Sequence, residues 1–140
     1  YTLAVDRGNA TLASRFTPLH PAILRLIRRI VEVGAEHGLE VSVCGEMASQ
    51  PLMAFALIGL GVRQLSVAAR SVPLVKRIVR GVSASVATDA AEAALATQTA
   101  REAGAALRSR LMSAFGNAPF LQDGLPAYVD GNTFEGYGGP

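Results

Sequence analysis

An α/β fold is predicted for this chain by three observations. Residues 39–44 (LEVSVC) and 63–68 (RQLSVA) are short and rich in β-branched positions, the composition of strands. Between them a mostly apolar segment opens at Pro51 and closes at Gly59 and Gly61, which suits a helix. Its charge-free run, residues 51–62, falls well short of the about 20 residues that cross a bilayer. Helical patterns then flank this strand–helix–strand unit on both sides.

Residues 1–19 mix Gly8, Asn9 and Thr17-Pro18 with scattered apolar positions and read as a loop or broken helix. A helix begins at His20-Pro21, where proline suits the first helical position because its missing amide would be unpaired there anyway. Ile23, Leu26, Ile27, Ile30, Val31 and Val33 recur at helical spacing, with Arg25, Arg28, Arg29, Glu32 and Glu36 on much of the other face. Gly38 is the expected stop. After the first strand, Gly45-Glu46 leads into a loop, and the apolar helix runs from Pro51 to about Leu60. After the second strand, Ser71 is the expected cap of a helix reaching Arg80, with Pro73 in its first turn and Gly81 beyond its end. Twelve of the 34 residues in 84–117 are Ala, which favours helix. One helix is expected from about Asp89, and a second from Thr99, whose spacing to Glu102 matches a capping box. From Asn117 the chain turns Gly- and Pro-rich, and 117–140 is expected to be a disordered tail. No internal repeat is present.

Strands joined by one helix are expected to lie parallel and adjacent with a right-handed crossover. Parallel sheets are normally covered on both faces, and two strands alone leave both edges open. The unit is therefore expected to be the end of a larger α/β fold. Three regions follow: residues 1–83 with the two strands, the Ala-rich helices 84–116, and the tail 117–140.

Half of the residues are hydrophobic and 17% are charged, which excludes a wholly disordered chain. The single Cys44 excludes an internal disulfide and fits a reducing compartment. The net charge of +2 does not by itself imply nucleic acid, but it is unevenly placed. Residues 1–83 carry ten basic and five acidic groups, residues 84–140 three and six. Twelve of the thirteen cations are Arg, a bias that genome base composition alone can produce.

Cys44 is expected where a parallel strand ends, the end at which α/β folds place their sites. A free thiol is mostly protonated at neutral pH and serves as a proton donor as well as a nucleophile. Position alone leaves a second reading open, a small buried hydrophobe. Gly45 and Glu46, next in line, are further candidates for substrate contact. Arg7, in VDRGN, could grip an anion with two prongs if Gly8 lets it fold inward; the plain alternative is a solvated surface arginine. His20 and His37 sit at helix ends and read as structural. Metal-binding His/Cys spacing, a phosphate-binding glycine loop and a Ser-His-Asp arrangement are all missing from the sequence.

YTLAVDRGN at 1–9, PLHPAILRLI at 18–27, CGEMA at 44–48, and LIGLGVRQLSV running into SVPLVKRIVR together resemble a known family. They look like the C-terminal end of enzyme I of the bacterial sugar phosphotransferase system. These are phosphoenolpyruvate (PEP)–protein phosphotransferases, within the PEP-utilising enzymes. The resemblance covers residues 1–83 closely and those to 116 loosely. It implies the closing part of a (β/α)₈ barrel of TIM type, with residues 39–44 and 63–68 as its seventh and eighth strands. It implies that Arg7 contacts PEP and that Cys44 protonates the departing enolate. The phosphoryl group would pass to the enzyme's own histidine and on to the phosphocarrier HPr, in a magnesium-dependent, cytoplasmic homodimer. The magnesium ligands, phosphate-binding arginines and phosphorylated histidine would lie upstream of Tyr1, so the fragment alone is expected to be inactive. Met47, Ser49 and Gln50 depart from the Leu, Gly and Asp common at these positions. Alternatives are a pyruvate phosphate dikinase or PEP synthase-type enzyme, against which Met47-Ala48 argues, and a non-catalytic assembly module.

Overall fold

A computed structural model describes residues 1–6, 8–9, 11–12 and 17–116. The expectations for Arg7 and for the tail 117–140 fall outside the described residues.

Helix α1 (Pro21–Glu36) starts where the sequence places it. His20 is extended, and its Nδ1 accepts a hydrogen bond from the Ala22 amide at 3.2 Å, so the imidazole satisfies an amide that the first turn would leave unpaired. Its inward stripe is Leu24, Ile27 and Val31, reaching the core. The expected apolar face is only partly used: Leu26 is 48% exposed and Ile30 50%. These two lie on the flank turned away from the helices that supply the core.

Strands β1 (Ser42–Cys44) and β2 (Gln64–Ser66) pair in parallel, with Ser42 opposite Gln64, Val43 opposite Leu65 and Cys44 opposite Ser66. Each has three residues rather than the six expected. Residue 39 belongs to the stop of α1, its amide donating to Gly34 O at 2.8 Å. Arg63 turns back on the helix before β2, its guanidinium donating to Ile58 O at 3.2 Å and Val62 O at 3.3 Å. Between the strands, the expected loop contains a single helical turn, α2 (Glu46–Ser49), followed by α3 (Pro51–Gly59).

After β2 comes a 3₁₀ turn at Ala69–Ser71, then α4 (Val72–Gly81). Ser71 does not cap α4 through its side chain. It is already helical (φ −89°, ψ −14°) because the 3₁₀ turn runs into the helix. Helix α5 (Ala84–Leu95) begins five residues before Asp89: Ser83, extended, accepts the Val86 amide on its Oγ at 3.3 Å and supplies the missed cap. Helix α6 (Ala100–Phe115) carries the expected capping box. The Glu102 amide donates to Thr99 Oγ1 at 3.2 Å, and Glu102 Oε2 accepts from the Gln98 and Thr99 amides at 3.1 Å each.

The core sits on the helices rather than on the sheet. Residues 51–57 of α3 are all buried, as an all-apolar helix must be. Against α3 pack α2, α4, α5 and α6, the last two contributing Ala87, Ala90, Ala91, Ala94, Leu107 and Leu111. The approach of α3 to α5 passes through Gly59, where a β-carbon would lie 2.0 Å from Ala87 O and 2.8 Å from Ala91 Cβ. Arg25 of α1 closes the far end of α5, its Nη2 donating to Leu95 O at 2.7 Å and Thr97 O at 3.1 Å. Arg28 pairs with Glu92 beside it. The basic first region thus meets carbonyls and a carboxylate of the acidic second one. Among the described residues no helix is long and apolar enough to cross a membrane.

Candidate active site

The alternation of the two strands decides which side chains are offered to a ligand. Val43 and Leu65 are half-buried and pack against the helical core. A strand turns alternate side chains to opposite faces, so Ser42 and Cys44 on β1, with Gln64 and Ser66 on β2, share the other face. All four are exposed. Gln64 Nε2 donates to Glu40 Oε2 at 2.5 Å, which commits the pair at the amino end of this face. Cys44 and Ser66 form its carboxyl end, paired in register.

Cys44 is a free, exposed thiol on the last residue of β1. The buried-hydrophobe reading of this residue is therefore set aside. Gly45 takes φ 86° and ψ −165°, a backbone state that L side chains rarely adopt. Nothing lies within 4 Å of a β-carbon built there, so glycine is required by the turn and not by crowding. That turn carries the chain out of the strand directly into α2 and leaves the thiol exposed at the carboxyl end of the sheet. Glu46 begins α2 and is exposed; Ser49 Oγ donates back to Gly45 O at 3.4 Å. Behind them Met47 and Ala48 anchor the turn on the core.

Both strands run the same way, so the segments that follow them, 45–46 and 67–71, leave from one end of the sheet. The described residues of the opening loop are held by short-range bonds. Gly8 N donates to Asp6 Oδ1 at 2.8 Å, and Thr11 N to Asn9 Oδ1 at 3.0 Å. His20 and His37 are engaged at the two ends of α1, His37 Nδ1 lying 2.9 Å from Val33 O. Among the described residues no group of three or more His, Cys, Asp or Glu side chains is assembled that would fit a metal ion. Ser66 was not singled out in the sequence. The signal that would have found it is the shared alternation of LEVSVC and RQLSVA about an apolar helix, which puts their polar positions on one face.

A family model described as PEP-utilising enzyme, PEP-binding domain, matches residues 1–84. A Salmonella typhimurium protein named phosphoenolpyruvate-dependent phosphotransferase system is 44% identical over 102 residues, 73% of this chain and 14% of that protein. A phosphoenolpyruvate-protein phosphotransferase of Buchnera aphidicola is 38% identical over 102 residues, again 73% of this chain and 18% of its own length. A phosphoenolpyruvate synthase of Pyrococcus furiosus is 39% identical over 79 residues, 56% of this chain and 10% of that protein. The chain thus spans less than one fifth of each of these relatives.

Proposed function

The chain belongs to the PEP-utilising enzymes through their PEP-binding domain, and we propose that it is the C-terminal, PEP-binding part of an enzyme I-type PEP–protein phosphotransferase. The observation that carries the proposal is the exposed thiol of Cys44 at the carboxyl end of a parallel strand, ahead of a glycine whose positive φ turns the chain away from it. The names of the relatives matched over 73% of the chain support the transferase over the synthase, whose match covers 56%.

In the proposed reaction the bridging P–O bond of PEP breaks and the phosphoryl group passes to a histidine of the whole protein, then to HPr. The enolate of pyruvate remains. Its methylene carbon takes the proton from Cys44 Sγ: the S–H bond breaks, a C–H bond forms, and pyruvate leaves a thiolate behind. Arg7 holds the anionic substrate, a guanidinium fork matching carboxylate or phosphate. Gly45 and Glu46 follow the thiol at the same end of the sheet and are the further candidates for substrate contact. The two strands become the last two of a (β/α)₈ barrel, and Leu26, Ile30 and the open strand edges are then covered by its other elements. The whole protein works as a cytoplasmic homodimer in sugar transport. The magnesium ion that the family resemblance implies would be held by residues of the whole protein outside this chain and would neutralise charge on the transferring phosphoryl group; among the described residues no ligand cluster is assembled for it.

The test uses the complete protein. Cys44→Ala is expected to slow pyruvate formation by about 10²–10⁴-fold, the usual worth of a positioned general acid, with folding intact because the side chain is exposed. Near-normal turnover would remove Cys44 from the mechanism. Arg7→Ala is expected to raise the Michaelis constant for PEP; unchanged kinetics would return it to the surface.

A further inference from the structure

We propose that Ser66 is a positioning residue for the Cys44 thiol, its hydroxyl donating a hydrogen bond to Sγ and stabilising the thiolate left by proton transfer. This rests on the role proposed for Cys44. Three observations lead to it. Cys44 and Ser66 are register partners across adjacent parallel strands. Strands stand about 4.8 Å apart, and partners project from the same face, so a serine rotamer turned toward β1 brings its oxygen within hydrogen-bonding reach of the sulfur. Both residues are exposed on the polar face, opposite Val43 and Leu65. Finally, the polar groups of this face are not equally free. Gln64 is held by Glu40, whereas among the described residues the Ser66 hydroxyl has no hydrogen-bond partner.

The chemistry makes the pairing useful. A hydrogen bond offered to the charged form of a group favours that form, so a hydroxyl aimed at the sulfur makes the thiol a stronger acid. A general acid works best with its acidity near the operating pH. Ser66 itself undergoes no covalent change. Its donor stays on oxygen, while the sulfur's proton goes to the enolate carbon.

The experiment measures alkylation of Cys44 by iodoacetamide against pH in the complete protein without substrate, read by mass spectrometry on the peptide that holds it. This readout follows the thiolate and is independent of turnover. Ser66→Ala is expected to slow alkylation at pH 7 by about fivefold, the worth of one hydrogen bond, and to leave the plateau rate at alkaline pH unchanged. Ser66→Thr, which keeps the hydroxyl, is expected to restore the original profile, and pyruvate formation should fall and recover in the same order. An alkylation profile unaltered by Ser66→Ala overturns the proposal. So does an equal loss at every pH, which would mean altered access. Normal turnover in Cys44→Ala would instead overturn the reaction assigned to the thiol, whatever the alkylation profile shows.

Discussion

The two faces that the β1–β2 sheet presents are built on opposite terms. Behind Val43 and Leu65 lies a dense stack in which α3 is buried from Pro51 to Leu57 and pressed against α5 through Gly59. In front, Ser42, Cys44, Gln64 and Ser66 stand exposed, and among the described residues their side chains make one hydrogen bond, from Gln64 to Glu40. The stack holds the chain together, and the polar face is the one proposed to carry the chemistry. Substitutions should divide accordingly, with those behind the sheet costing stability and those in front costing activity.

The largest stability loss should come from the centre of the stack. Phe55 is fully buried, and Phe55→Ala is expected to destabilise by about 3–5 kcal/mol in urea unfolding, through lost transfer energy and the cavity left behind. A loss under about 1 kcal/mol would mean that α3 is not the centre of the core. Gly59→Ala comes next, at about 1–3 kcal/mol, because its β-carbon would strike the Ala87 carbonyl of a neighbouring helix and one helix must move. An unchanged melting temperature would break the assigned α3–α5 approach.

A smaller effect belongs to the N-terminus of α6. Thr99→Ala should cost about 1 kcal/mol, the usual worth of a side-chain cap. The backbone amide of Gln98, followed by the Thr99 hydroxyl and amide, holds the Glu102 carboxyl below its ordinary value of 4.5. A lowered carboxylate pKa favours the folded state above the unfolded-state pKa. That contribution is lost as the pH falls through the folded-state value. Acid titrations of stability should therefore be flatter below about pH 4.5 in Glu102→Gln than in the parent, and parallel curves would contradict the capping box. The smallest effect should be at Ser42→Ala on the open face, within about 0.5 kcal/mol of zero. A larger loss would show that this face is structural.

Much of the fold can be read from local signals. His20-Pro21, Gly38, Pro51 and the Thr99–Glu102 spacing mark the helix ends that form, because each acts on its own backbone within about one turn. The errors arise where a neighbouring turn intervenes. At Ser71 the preceding 3₁₀ turn already holds the serine in helical backbone, so its side chain does not take the capping position. At Ser83 an unrecognised cap moves the start of α5 forward from Asp89. The strands shrink because Leu39 joins the stop of α1 and Arg63 folds back on α3. At the site, Cys44 is marked in the sequence by its place at a strand end, whereas the alternation of RQLSVA puts Ser66 on the polar face and only the register sets it beside Cys44.

Local order along the chain was determined by sequence alone: where helices begin, which stretches extend, and that a lone sulfur closes one of the strands. Those features depend on hydrogen bonds and torsions spanning a few residues. Only the tertiary structure decided that α5 seals α3 through a glycine, that Arg25 of α1 reaches carbonyls 70 and 72 residues away, and that thiol and hydroxyl share a face. Such contacts depend on which surfaces meet once apolar area is withdrawn from water, and that is a property of the whole packed chain.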